Sequence, residues 1–196
     1  MKDEWIESLA SPGTAFPKIA KKANLVGGLQ HVAVGYLING ILTFIAVALF
    51  GTMLGGALGM TAGIGFGIVT MIVGIIFGII LSLIGAGLIW IVAKLLGGTG
   101  EYGTQYHLTS APLAAVLIIQ GVLSFIPFLG AIIGGLISIY YLYPLTLAIK
   151  EAHKFSTLKA VAAWAIPAIV VLILAVAFAG IATLAMIGVL GAMGEY

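Results

Sequence analysis

From Ala23 to Ala93 the chain carries no Asp, Glu, Lys or Arg. As a single α-helix rising 1.5 Å per residue, this run would be about 105 Å long, against a bilayer hydrocarbon core of about 30 Å. It must therefore fold back within the membrane. Two further stretches, 111–149 and 160–194, are equally free of charge. The first is long enough for two minimal crossings joined by a tight turn, and the second exceeds one crossing. With 62% hydrophobic and 7% charged residues and a mean hydropathy of +1.27, the chain is an integral membrane protein, because a soluble domain would be about a quarter charged.

Lysine placement decides how the runs are threaded. All eight basic residues are lysines: Lys2, Lys18, Lys21 and Lys22 before the first run, Lys94 at its end, and Lys150, Lys154 and Lys159 between the last two. Two crossings in 23–93, two in 111–149 and one after Lys159 put every lysine on one side, which the positive-inside rule makes cytoplasmic. The expected fold is all-α, a bundle of five transmembrane helices with the N-terminus cytoplasmic and the C-terminus external or lumenal. Residues 1–24 form a cytoplasmic interfacial segment and 25–196 the membrane domain, with spans near 28–54, 64–95, 111–126, 130–149 and 160–190. The first break belongs in the glycine-rich stretch Gly55–Gly63, and the second at Phe125–Gly130. Trp90 and the tyrosines 140, 141 and 143 suit the interface beside Lys94 and Lys150. Span five has to tilt, break or protrude.

The N-terminal segment has acids beside its first lysine and no apolar core, unlike a signal peptide. Trp5, Ile6 and Leu9 recur at helical spacing before Ser11-Pro12-Gly13, as in a helix lying on the headgroups.

Function classes are narrowed by what is missing. Cys is absent, which removes thiolate metal sites and cysteine nucleophiles. No basic patch suits nucleic acid, and no nucleophile elbow, P-loop or dinucleotide fingerprint occurs. The chain reads as no enzyme, with no cofactor. Glu101, His107, Glu151 and His153 fall in the segments between apolar runs. Their donor types suit a divalent cation, but the ligand spacing is not compact, so ordinary loop polarity and no metal are expected. Asn39 and Gln120 are polar intramembrane residues that need partners, either one another or freed carbonyls. Pro144 and Pro167 each remove a helix hydrogen bond and are candidate kinks or hinges. Glycines four apart, at 51, 55, 59, 63 and 67, allow close helix approach within the chain or in a homo-oligomer.

Several dispersed residues carry a resemblance. They are Gly97-Gly98-Thr99-Gly100 with Tyr106, Pro112, Ile126-Pro127 with Gly130, and Lys150-Glu151-Ala152-His153 followed by Ser156-Thr157 and Lys159-Ala160. In order and spacing they resemble the Yip family, the Ypt/Rab-interacting membrane proteins with a YIPF domain, over roughly residues 85–175. The short N-terminal segment is similar to compact prokaryotic, especially archaeal, members. The resemblance implies five spans and a non-enzymatic scaffold that recruits cytosolic or membrane partners, in eukaryotic relatives Rab-type small GTPases in vesicle transport. It implies the cell membrane in a prokaryote and the ER or Golgi in a eukaryote. Tyr102, Tyr106, His107, Glu151 and His153 are then the expected partner contacts. Membrane lipids are the other expected partners. A channel or small-solute transporter and a lipid-interacting, membrane-shaping protein are the alternative readings.

Overall fold

A computed structural model describes residues 1–193, and the side chains of 1–186. Among the described residues the fold is entirely helical: α1 (Lys2–Ala10), α2 (Pro12–Ile19), a 3₁₀ turn (Ala20–Lys22), α3 (Leu25–Leu95), α4 (Tyr102–Leu123), α5 (Pro127–His153) and α6 (Thr157–Met193). Four helices, α3 to α6, are long and apolar enough to cross a membrane.

α3 begins at an N-cap, Asn24, whose side-chain oxygen accepts from the Gly27 N–H at 2.8 Å, replacing a partner that the first helical turn lacks. Its 71 residues are broken at Gly56, where φ is +58° and ψ is −138°. That conformation is closed to side chains other than glycine's. The two arms fold back on one another through small residues. A Cβ on Gly51 would lie 2.5 Å from the Gly59 carbonyl oxygen, one on Gly67 would lie 2.8 Å from the Phe44 ring, and one on Gly40 3.1 Å from Met71. Gly51, Gly59, Gly63 and Gly67 therefore serve this internal hairpin. In lipid, where apolar surface gains nothing by leaving the solvent, such close backbone approach is what holds helices together.

The first arm runs alongside α4 in the same direction. Gly28 meets Tyr106 and His107, Gly35 meets Ala114, and Gly121 meets Asn39 and Leu42. The second arm runs opposite to α4, tied by Ser82 to Tyr106 and by Tyr102 to the Leu83 carbonyl. α5 returns antiparallel to α4 after a turn in which Gly130 packs on Leu123. α6 returns along α5, with the Trp164 indole donating to Thr146 at 2.9 Å. It continues through Pro167 without a break; residues 194–196 lie outside the described part.

Two expectations are corrected. Residues Tyr102–Ser110 do not belong to a loop. They form the first turns of α4, because Gln105, Tyr106, His107, Thr109 and Ser110 all find partners inside the bundle and are buried there. The connection shrinks to 96–101. Nor does α1 lie only on headgroups. It packs against α4 and α5, with Ser8 buried and the Tyr140 hydroxyl donating to the Leu9 carbonyl at 2.7 Å. α2 follows it, burying Ala15, Phe16 and Ile19 against Leu108, Ala148 and Ala152.

Every lysine-bearing segment meets its neighbours at one end of this arrangement. Lys22 contacts Glu4, Lys159 donates to the Leu96 carbonyl, and Gly100 contacts His153. The turns at Gly56 and at Ile126-Pro127 carry no charge.

The glycine contacts predict a sharp contrast. In Gly35→Ala the new methyl meets the Ala114 backbone at 2.9 Å, whereas at Gly74 it meets open space. Thermal denaturation in detergent should show Gly35→Ala destabilised by about 1–3 kcal/mol and Gly74→Ala unchanged or slightly stabilised by the better helix propensity of alanine.

Candidate functional site

The lysine-bearing end of the bundle encloses two clusters of buried polar side chains, each built around a histidine from a different helix. Both depend on glycines that let the rings approach backbone.

The first cluster joins α1, α3 and α4. His107, one turn into α4, lies against the start of α3 because Gly27 and Gly28 leave room for its ring and for Tyr106. Its Nδ1 is 3.1 Å from the Asn24 carbonyl oxygen and its Nε2 is 3.3 Å from His31 Nε2. His31 is buried in the first arm of α3 and accepts at Nδ1 from the Trp5 indole N–H at 2.7 Å. An indole N–H can only donate. The neutral His31 ring thus keeps its proton on Nε2, which donates to Glu4 Oε2 at 3.0 Å. His107 Nδ1 meets both backbone groups of Asn24, accepting from the N–H at 3.3 Å in one tautomer and donating to the carbonyl oxygen at 3.1 Å in the other, and its Nε2 faces His31 and Glu4, the latter at 3.6 Å. The other Glu4 oxygen pairs with Lys22. Partial burial pushes the Glu4 carboxyl up, but the Lys22 hydrogen bond and charge, with His31 and His107 adding to them, outweigh it and hold it below the ordinary value. The same hydrogen bond, then the carboxylate charge, raises the Lys22 ammonium.

The second cluster closes the 96–101 connection. His153, the last residue of α5, donates from Nε2 to Gln105 Oε1 at 2.8 Å and accepts at Nδ1 from the Gly100 N–H at 3.2 Å. Gln105 in turn donates to the Ala86 carbonyl at 2.9 Å, and the Trp90 indole donates to the Gly100 carbonyl at 3.1 Å. The glycine run has a reason at each place. Gly97 has a φ of +88°, a Cβ on Gly98 would stand 2.8 Å from the Ala93 carbonyl oxygen, and one on Gly100 would stand 2.8 Å from the Ala152 carbonyl carbon. No buried side-chain nitrogen or oxygen among the described residues lacks a partner, as a low-dielectric interior demands.

The expected site residues divide accordingly. Tyr106 and His153 are each 1% exposed and His107 5%, so these three face the interior. Tyr102 stacks on Tyr106 with ring centroids 5.8 Å apart and is only partly covered. Glu151 is partly exposed and pairs with Lys154. Glu101 is exposed at the start of α4, so the set Glu101, His107, Glu151 and His153 does not converge: His107 and His153 belong to different clusters. Asn39 donates to the Leu117 carbonyl at 2.8 Å and Gln120 to Ser138 at 3.0 Å, and not to one another. Pro144 and Pro167 lie within unbroken helices. Sequence reasoning missed Glu4 and His31. The available signal was His31 itself, the one imidazole near the lysine side of a run without charged residues.

Gln105→Leu should remove the link between α3 and α5 and strand the His153 N–H, destabilising the bundle by about 1–3 kcal/mol. Chemical denaturation followed by tryptophan fluorescence will show the shift, and Gln120→Leu, at an exposed pair, should move the midpoint far less.

No curated protein and no solved structure matches the chain. A family model, the Yip1 domain, matches residues 6–180, which includes α2 to α5 whole and both histidine clusters except for the first residues of α1. The chain is an integral membrane protein that belongs to the Yip1 domain family.

Proposed function

We propose that this protein is a non-enzymatic membrane scaffold with five crossings, the N-terminus cytoplasmic and the C-terminus external, that recruits a cytosolic protein at its lysine-bearing end. The observation that carries the reading is the gathering of α1, α2, the 96–101 connection and the α5–α6 connection at one end of the bundle. The two arms of α3 supply the first two crossings, and α4, α5 and α6 the others. The positive-inside rule then turns the lysine-bearing end toward the cytoplasm.

The surface suited to recruitment lies between α2 and the end of α5. Pro17, Ala20, Lys21, Thr104, Glu151 and Lys154 line a groove of about 480 Å³ there, with charges of both signs at its edge. Tyr106, His107 and His153 act behind this surface by fixing α4 and α5, while Tyr102 and Glu151 are the expected residues that remain accessible. By the resemblance to eukaryotic Yip-type proteins the partner is a small GTPase or another cytosolic protein. The buried partners of Asn39 and the exposed position of Gln120 give a conduction path no support.

The absence of cysteine makes the test direct. Single cysteines at Lys21, Glu101 and Lys154 should be labelled by an impermeant maleimide only from the cytoplasmic side, and those at the exposed Leu58 and Phe128 only from outside. A photo-crosslinking residue at Lys21 should capture a GTP-binding cytosolic protein, with capture reduced at least several-fold by Glu151→Ala. Labelling of the cysteine at Leu58 from the cytoplasm would overturn the topology. Recovery of only lipid and further copies of the chain would overturn the recruiting role.

A further inference from the structure

Glu4, His31 and His107 come from three segments far apart in the chain, yet each turns one ligating atom toward a common point. The atoms are Glu4 Oε2, His31 Nε2 and His107 Nε2. They form a triangle with edges of 3.0, 3.3 and 3.6 Å. Neighbouring ligands around a tetrahedral zinc ion with bonds of about 2.0–2.1 Å stand about 3.3 Å apart. The point equidistant from the three atoms lies about 1.9 Å from each within their plane. An ion at zinc bond length would therefore sit about 0.7 Å out of that plane, which is the displacement of a tetrahedral ion with one position left open.

We propose that Glu4, His31 and His107 form a binding site for a zinc-type divalent transition-metal ion that locks α1 onto α3 and α4. Two imidazoles and one carboxylate favour zinc and its neighbours in the first transition row over magnesium or calcium, which prefer oxygen ligands alone. The outer contacts fit the role. With its proton on Nδ1 and donated to the Asn24 carbonyl, His107 presents the Nε2 lone pair, the arrangement in which a metal-bound histidine is normally oriented. Lys22 occupies the other Glu4 oxygen and leaves Oε2 to the site; its exposed ammonium can swing away from an incoming cation. Glu4, the most exposed of the three side chains at 14%, marks the entry and the open coordination position.

His31 must change for the ion to bind. The Trp5 indole N–H keeps its proton on Nε2, and a metal at Nε2 requires that proton on Nδ1. The ring then turns a donor toward the indole, and Trp5 has to leave it. Binding therefore couples to the environment of Trp5.

The test uses the full-length protein without a histidine tag, in lipid nanodiscs, stripped with chelator and then titrated with Zn²⁺. About one tightly held ion per chain is expected, with an accompanying change in tryptophan emission that Trp5→Phe removes. His31→Gln and His107→Gln should each weaken binding at least ten-fold, while His153→Gln, which removes the remaining histidine of the chain, should not. Co²⁺ in place of Zn²⁺ should give the visible absorption of a four-coordinate ion. Glu4→Gln, on a short helix outside the apolar bundle, serves where a histidine variant does not fold; it too should weaken binding at least ten-fold. Binding that is absent in the parent, or that survives both histidine substitutions or Glu4→Gln, would overturn the proposal. Trp5→Phe should bind Zn²⁺ at least as tightly as the parent, and ten-fold weaker binding would overturn the coupling to Trp5.

Discussion

The contact between His107 and the start of α3 is the constraint around which the rest of this molecule is arranged. A ring in this position faces backbone at Asn24 on one side and a second imidazole on the other. Neither contact forms unless Gly27 and Gly28 leave their side-chain space empty. Once α4 is fixed there, Gln105 two residues earlier reaches the second arm of α3, and His153 can close on Gln105 from α5. Two separate hydrogen-bonded clusters, both held by the first turns of α4, thus reach α1 on one side and the end of α5 on the other. In a low-dielectric interior such a network is strong when complete and costly when any member is missing.

Small residues complement this polar layer. Toward the uncharged end the helices meet through glycine and alanine rather than through hydrogen bonds, with Gly35 on Ala114 and Gly51 on Gly59. The two modes divide the bundle along its length. Polar linkage fixes which helices are neighbours at the lysine-bearing end, and close packing carries the contact into the apolar part. α6 depends on neither to the same degree. It is anchored by Phe155, Ala160 and Ala163 in an apolar cluster with Leu145 and Ile149, and from Ile169 onward its large described side chains are exposed on all sides.

The helical architecture and the fold-back of the first apolar run were legible from charge alone, since a stretch such as 23–93 has no other way to fit a bilayer. The start of α4 was not. Tyr102, Gln105, Tyr106 and His107 read as loop because they are polar, and polarity in a single sequence does not distinguish water from a partner helix. Glycines at 97, 98 and 100 were visible as a motif, but their cause, the proximity of Ala93, Ala152 and His153, is a tertiary fact. Glu4 was hidden for another reason: among Asp3, Glu4 and Glu7 on a short amphipathic helix, nothing local marks the one that turns inward.

The clasp made by α1 and α2 has a consequence for biosynthesis. Leu9 is held by Tyr140, which lies 131 residues further along the chain, and Phe16 and Ile19 rest on Ala148 and Ala152. The N-terminal helices are thus made well before α5, which supplies part of their resting place. Until α5 is inserted, the N-terminal helices have only part of their binding surface and remain outside the finished assembly. Their docking thus waits on α5, and undocked α1 and α2 mark a chain in which α5 has yet to take its place.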